Sequence, residues 1–192
     1  VYGNSGYAYT GSTPSKLKKR IEEANSSNAE ITDINITENG NYVIILGGSG
    51  YWTLGYPDAF LKKLEQYRTG DLRDDNILSA CFNDRGEWVV ITDKHYSYSN
   101  ETIKNFILKA EELYEEVYYA YITNYGMIAC CKNGVYYKNI PSNLAEALKK
   151  LTFKPKVIKF TDNGLYLMLS NNSFICKYSI FFRKYELSAA VL

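Results

Sequence analysis

Apolar and polar positions along this chain fall into one pattern that occurs four times. Two apolar residues two apart are followed by a polar residue, an acid or amide, one free position, a glycine, and then an aromatic or aliphatic run. The first copy has Ile34 and Ile36, then Thr37, Glu38, Asn39 and Gly40, then Tyr42, Val43 and Ile44. Ala80 and Phe82 stand before Gly86, Ala120 and Ile122 before Gly126, and Ile158 and Phe160 before Gly164. The four glycines are 46, 40 and 38 residues apart. Apolar residues at a spacing of two share one face of a strand. A polar cluster closing on glycine is a tight turn, with glycine taking positive φ. Each copy is therefore expected to open with an antiparallel β-hairpin, and Gly40, Gly86, Gly126 and Gly164 are structural turn residues.

A third short strand of aromatics is expected after each hairpin. It carries Tyr7 and Tyr9, Tyr51 and Trp52, Tyr96 and Tyr98, and Tyr136 and Tyr137. A helix then starts at or just after Pro14, Pro57 and Pro141, and near Ile103 in the copy without proline, since proline suits a first helical turn. Apolar residues three and seven positions on give each helix a buried stripe: Leu17 and Ile21, Phe60 and Leu64, Phe106 and Ala110, Leu144 and Leu148.

The fold class read from this pattern is α+β, about four repeats of antiparallel hairpin, third strand and helix, in a single repetitive domain over 1–192. The units run over about 1–28 (partial), 29–70, 76–117, 118–153 and 156–183 (partial). The termini fall in mid-unit. Two assemblies satisfy that phase: pairing of the N- and C-terminal strands, as propeller-like folds close, or a slice of a longer open array.

Charge and composition narrow the function. A net charge of +1 supplies no field for nucleic acid, so no nucleic-acid partner is expected. No stretch is long and apolar enough to span a membrane, and a soluble protein is expected. The chain opens on Val1 without a visible signal peptide, which fits an exported protein already processed as well as a fragment. Localisation stays open. Cys81, Cys130, Cys131 and Cys176 form no CxxC pair, so no metal site and no cofactor are expected. Neighbours Cys130 and Cys131 should point to opposite faces of a strand.

Candidate chemistry is sparse. His95, the only histidine, falls in a loop before the third strand and reads as a surface residue. Gly47, Gly48 and Gly50 lead into a strand without the GK[ST] sequence of a phosphate loop. Glu38, Asp84 and Asp162, with Asn124 as the fourth member, share one repeat position, and acids at separate turns suit turn formation better than catalysis. The chain is thus expected to be a non-catalytic repeat module with a binding, scaffolding or structural role. Tyr7, Tyr9, Tyr51, Trp52, Tyr96, Tyr98, Tyr136 and Tyr137 would recognise carbohydrate or peptide if the outward member of each pair lines one face. The alternative is a hydrolase with its site between units, which calls for a pocket holding an acid or tyrosine of shifted pKa.

Overall fold

The computed structural model describes residues 13–171 and 173–177, and the backbone of 2–3 and 6–7. A short hairpin, β1 (Tyr2–Gly3) and β2 (Gly6–Tyr7), precedes helix α1 (Ser15–Ser26). Three three-stranded sheets follow, each leading into a helix. The first has β3 (Ile31–Ile36), β4 (Tyr42–Leu46) and β5 (Tyr51–Leu54), then α2 (Asp58–Thr69). The second has β6 (Ile77–Phe82), β7 (Trp88–Thr92) and β8 (Tyr96–Tyr98), then α3 (Glu101–Tyr114). The third has β9 (Val117–Ile122), β10 (Met127–Cys131) and β11 (Gly134–Lys138), then α4 (Ser142–Lys149). A fourth sheet holds β12 (Val157–Phe160), β13 (Tyr166–Leu169) and β14 (Phe174–Lys177). Every pairing is antiparallel, with the second strand of each sheet in the middle. This is the repeated α+β unit that the sequence pattern predicts.

Two details of the unit differ from expectation. Gly40, Gly86 and Gly164 take positive φ, at +79°, +80° and +84°, but Gly126 does not. The third turn is shorter. Thr123 N–H bonds the carbonyl of Gly126, whereas Thr37, Asn83 and Thr161 each reach one residue further, to Asn41, Glu87 and Leu165. Gly126 is needed for space instead: a Cβ there would stand 2.5 Å from the carbonyl oxygen of Asn139. The second difference is the start of α3. Its cap is Asn100, whose side chain accepts from Ile103 N–H at 3.0 Å. The other helices are capped by Pro14, Pro57 and Pro141, whose carbonyls accept the first helical bonds. Counted from Asn100, the third and seventh positions of α3 are Ile103 and Ile107, rather than Phe106 and Ala110; all four are buried.

Helices α2, α3 and α4 each fill the wedge between two sheets. Phe60, Leu64 and Tyr67 of α2 pack between Val43 and Ile45 of the first sheet and Ala80, Phe82, Trp88 and Val90 of the second. α3 lies likewise between Cys81, Val89 and Ile91 and Ala120, Ile122, Ala129 and Cys131. α4 joins Tyr119, Ile128 and Cys130 to Ile158, Phe160 and Met168. α1 covers Tyr42 and Ile44 on the outer face of the first sheet. The two faces of each strand thus serve successive wedges. That is why Cys130 and Cys131 fall into different core clusters.

The first strands, β3, β6, β9 and β12, meet at the centre. A β-bulge recurs in three of them, with Thr32, Leu78 and Tyr118 as the extra residues. A bulge bends its strand and re-aims the next side chain. Here the next residues are Asp33, Ser79 and Tyr119, all buried. Among the described residues no strand pair joins the two ends of the chain: β1 pairs with β2 and β14 with β13. The first and last sheets meet through side chains. Lys159 Nζ on β12 lies 3.0 Å from Asp33 Oδ1 and 2.9 Å from Asn35 Oδ1, and also donates to the carbonyl of Ile34. Asn35 Nδ2 donates to Ala80 O at 2.7 Å, and Ser79 Oγ to Ala120 O at 3.1 Å. One polar layer therefore links all four sheets.

Candidate functional site: an axial cavity

The four hairpin turns converge at one end of this central layer. The residues there occupy consecutive repeat positions: Ile36, Phe82, Ile122 and Phe160, then Thr37, Asn83, Thr123 and Thr161, then Glu38, Asp84, Asn124 and Asp162. All but Asp162 line one cavity of about 270 Å³, together with Tyr121. Hydrogen bonds cross between the turns. Asn83 Nδ2 donates to Thr123 O at 2.9 Å, and Thr123 Oγ1 to Asp162 Oδ1 at 2.8 Å. Asn124 Nδ2 reaches Glu38 Oε2 at 3.4 Å, and Asn39 N–H reaches Asp84 Oδ2 at 3.2 Å.

Four buried oxygens in this ring have no donor among the described residues: Thr37 Oγ1, Asp84 Oδ1, Asn124 Oδ1 and Asp162 Oδ2. Each comes from a different sheet. Unsatisfied acceptors buried at one place are costly, by about 1–3 kcal/mol each. The Asp84, Asn124 and Asp162 oxygens only accept, so their missing partners are donors, whereas the Thr37 hydroxyl can accept or donate. Partial desolvation, and then the neighbouring carboxyl of Asp162, hold the Glu38 carboxyl above its ordinary pKa. The mouth is therefore acidic and rich in acceptors, over an apolar lining of Ile36, Phe82, Ile122 and Phe160.

The turn acids were expected to stand apart, each in its own turn. The convergence of the four sheets makes one repeat position into one ring. The repeat register held that signal, but only for an assembly in which the turns share an end.

The third-strand aromatics lie elsewhere, in helix–sheet packing. Tyr51 packs in the α2 wedge, bonds Glu65 through its hydroxyl and carries Arg68 over its ring at 5.5 Å. Trp52 packs in the α1 cluster beneath Arg20, at 5.3 Å. Tyr96 donates to Glu111 at 2.9 Å, and Tyr98 packs beside it in the α3 wedge. Tyr136 lies 5.0 Å from the Phe106 ring, and Tyr137 packs in the α4 wedge. Tyr9 and the side chain of Tyr7 lie outside the described residues.

His95 is exposed, and its Nδ1 lies 2.6 Å from Asp75 Oδ2. Asp75 is buried, and Lys94 Nζ stands 3.6 Å from its other oxygen. Asn76 Nδ2 donates to Asp93 Oδ2 at 2.6 Å, which with its own N–H bond holds the Asp93 carboxyl below its ordinary pKa. These contacts fasten the 70–76 connection to the loop before β8. The four cysteines are free thiols. Among the described residues no cluster of three His, Cys, Asp or Glu has metal-binding spacing, and no helix is long and apolar enough to cross a membrane.

No family model, curated protein or solved structure matches this chain.

Proposed function

We propose that this chain is a non-catalytic binding module that takes a cationic, hydrogen-bond-donating group into the axial cavity. The ligand we assign is a lysine or arginine side chain of a peptide partner. The observation that carries this reading is the set of three buried acceptor oxygens without a donor among the described residues, those of Asp84, Asn124 and Asp162, each from a different sheet, around an acidic mouth. An ammonium offers three donors and a guanidinium five, with no acceptor. Stacking of sugar on the third-strand aromatics would need open ring faces, and Tyr51 and Trp52 are covered by arginines. Peptide is therefore the member of the expected ligand pair that we carry forward.

The test is calorimetric titration of the full chain with short peptides that differ only in a central lysine, arginine, glutamine or leucine. Saturable binding of the two basic peptides, weakened by more than about tenfold in Asp84→Asn/Asp162→Asn, is expected for a charge-assisted contact. Equal binding of the leucine peptide would exclude it.

A second reading rests on Glu38, whose raised pKa and adjacent Asp162 resemble an acid held protonated for hydrolysis. It predicts turnover of glycoside or ester substrates that Glu38→Gln abolishes. Binding without turnover separates the two readings.

A further inference from the structure

Three of the helices bury their apolar stripes over the same length. Counted from each cap, the third, seventh and tenth positions are Leu17, Ile21 and Ala24 in α1, Phe60, Leu64 and Tyr67 in α2, and Ile103, Ile107 and Ala110 in α3, all buried. In α4 the same positions are Leu144, Leu148 and Leu151. But α4 ends at Lys149 and buries only Leu144. Leu148 and Leu151 stay half-buried.

The shortfall leaves a groove of about 420 Å³ between β11 and the chain that follows α4. Val135, Tyr137, Leu148, Leu151 and Phe153 give it an apolar surface. Among the described residues its charged lining residues are all lysines: Lys132, Lys149 and Lys154. All three are exposed. Lys132 is held by Glu115 at 2.7 Å, and Lys154 stands over the Tyr118 ring at 5.1 Å. With Lys132 paired to Glu115, Lys149 and Lys154 are the charges this partly open apolar wedge offers among the described residues, and they select an occupant with an apolar anchor and negative flanks.

We propose that this groove docks a short acidic and apolar peptide segment of a partner protein. Its anchor side chain occupies the space that Tyr67 fills in the α2 wedge, and its carboxylates meet Lys149 and Lys154. This surface is separate from the axial cavity and takes a ligand of opposite charge.

The experiment titrates the full chain against a fluorescein-labelled peptide in which leucine and phenylalanine are flanked by glutamates, read by anisotropy. Saturable binding is expected, weakened about tenfold or more in Lys149→Glu/Lys154→Glu, and by a similar factor when glutamines replace the peptide's glutamates. Both lysines are exposed, so the double variant should keep the parent's circular dichroism. Asp84→Asn should leave this affinity unchanged, which separates the groove from the axial site. Absence of binding, equal affinity of the glutamine peptide, or unchanged affinity of the double variant overturns the proposal. Dodecanoate that binds while the peptide does not overturns the choice of a peptide.

Discussion

Lys159 Nζ on β12 stands 3.0 Å from Asp33 Oδ1 on β3, across 126 residues of chain. The Asp33 side chain is 2% exposed and that of Lys159 24%. The pair therefore spans the junction of the last sheet with the first in a largely water-free layer. Removing one member of a buried pair leaves the other uncompensated, at a cost of about 3–5 kcal/mol. Lys159→Met should lower unfolding stability in urea by about 3 kcal/mol, because among the described residues Asp33 then keeps its bonds from Asn35 and Ser79 and no cation. Adding Asp33→Asn should recover most of that loss, since no buried charge is then left. A single variant within about 0.5 kcal/mol of the parent would show that the junction does not rest on this pair.

The turn glycines separate into two physical classes with different mutational signatures. Gly86 has φ +80°, and a Cβ there meets nothing closer than Pro57 Cγ at 3.9 Å. Its substitution by alanine costs only the left-handed backbone, about 1–2 kcal/mol, and asparagine should recover part of it. Gly126 has no positive φ, but a Cβ would lie 2.5 Å from Asn139 O. Alanine there must push a backbone carbonyl, so a cost of about 3 kcal/mol is expected, with asparagine worse than alanine. Urea midpoints of the four variants check the contrast. Equal behaviour of Gly86→Asn and Gly126→Asn would refute it.

The same glycines show how far the repeat could be read in sequence. The hairpins, the third strands and the helices follow from alternation, turn chemistry and helical spacing, which are local properties. The third turn misleads because glycine is also chosen for close approach, and the Asn139 carbonyl is distant in sequence from the turn. Asn100 was missed as a cap because the other three copies mark the start with proline. The bulges at Thr32, Leu78 and Tyr118 leave no compositional trace, yet they turn Asp33, Ser79 and Tyr119 inward. The axial cavity was legible only in part. Glu38, Asp84, Asn124 and Asp162 share a register position, but whether they meet depends on how the sheets assemble, which no single repeat encodes.

Thiol reactivity should follow burial. Burial pushes Cys81 up to about 12 and Cys131 up to about 11, and raises Cys130 as well. Thiolate is the reactive form, so these three are shielded by chemistry and by packing. Cys176 is only half-buried. In native buffer at neutral pH, a disulfide reagent should titrate one thiol quickly and the other three at the rate of unfolding. Labelling followed by peptide mapping identifies the fast site. A fast reaction at Cys81 or Cys130 would contradict the packing of β6 or β10.

The sharpest test of the axial site joins stability to pH. Partial desolvation and the Asp162 carboxyl raise the Glu38 pKa above its ordinary 4.5. The folded chain therefore keeps the Glu38 proton to higher pH than the unfolded chain does. Between the two pKa values the folded state binds more protons, so stability falls as pH rises through that window and the loss is complete above the folded pKa. Below the unfolded pKa the penalty is absent. Glu38→Gln removes an ionisable group that opposes folding, so the variant should melt higher than the parent at neutral pH and match it below about pH 4. The same substitution takes negative charge from the mouth, so affinity for the lysine and arginine peptides should fall. A substitution that gains stability and loses binding is the mark of a group kept at a cost for function. Thermal melts across the pH range and titrations at neutral pH supply both readings. A variant less stable than the parent at neutral pH would show that Glu38 serves the turn rather than the ligand.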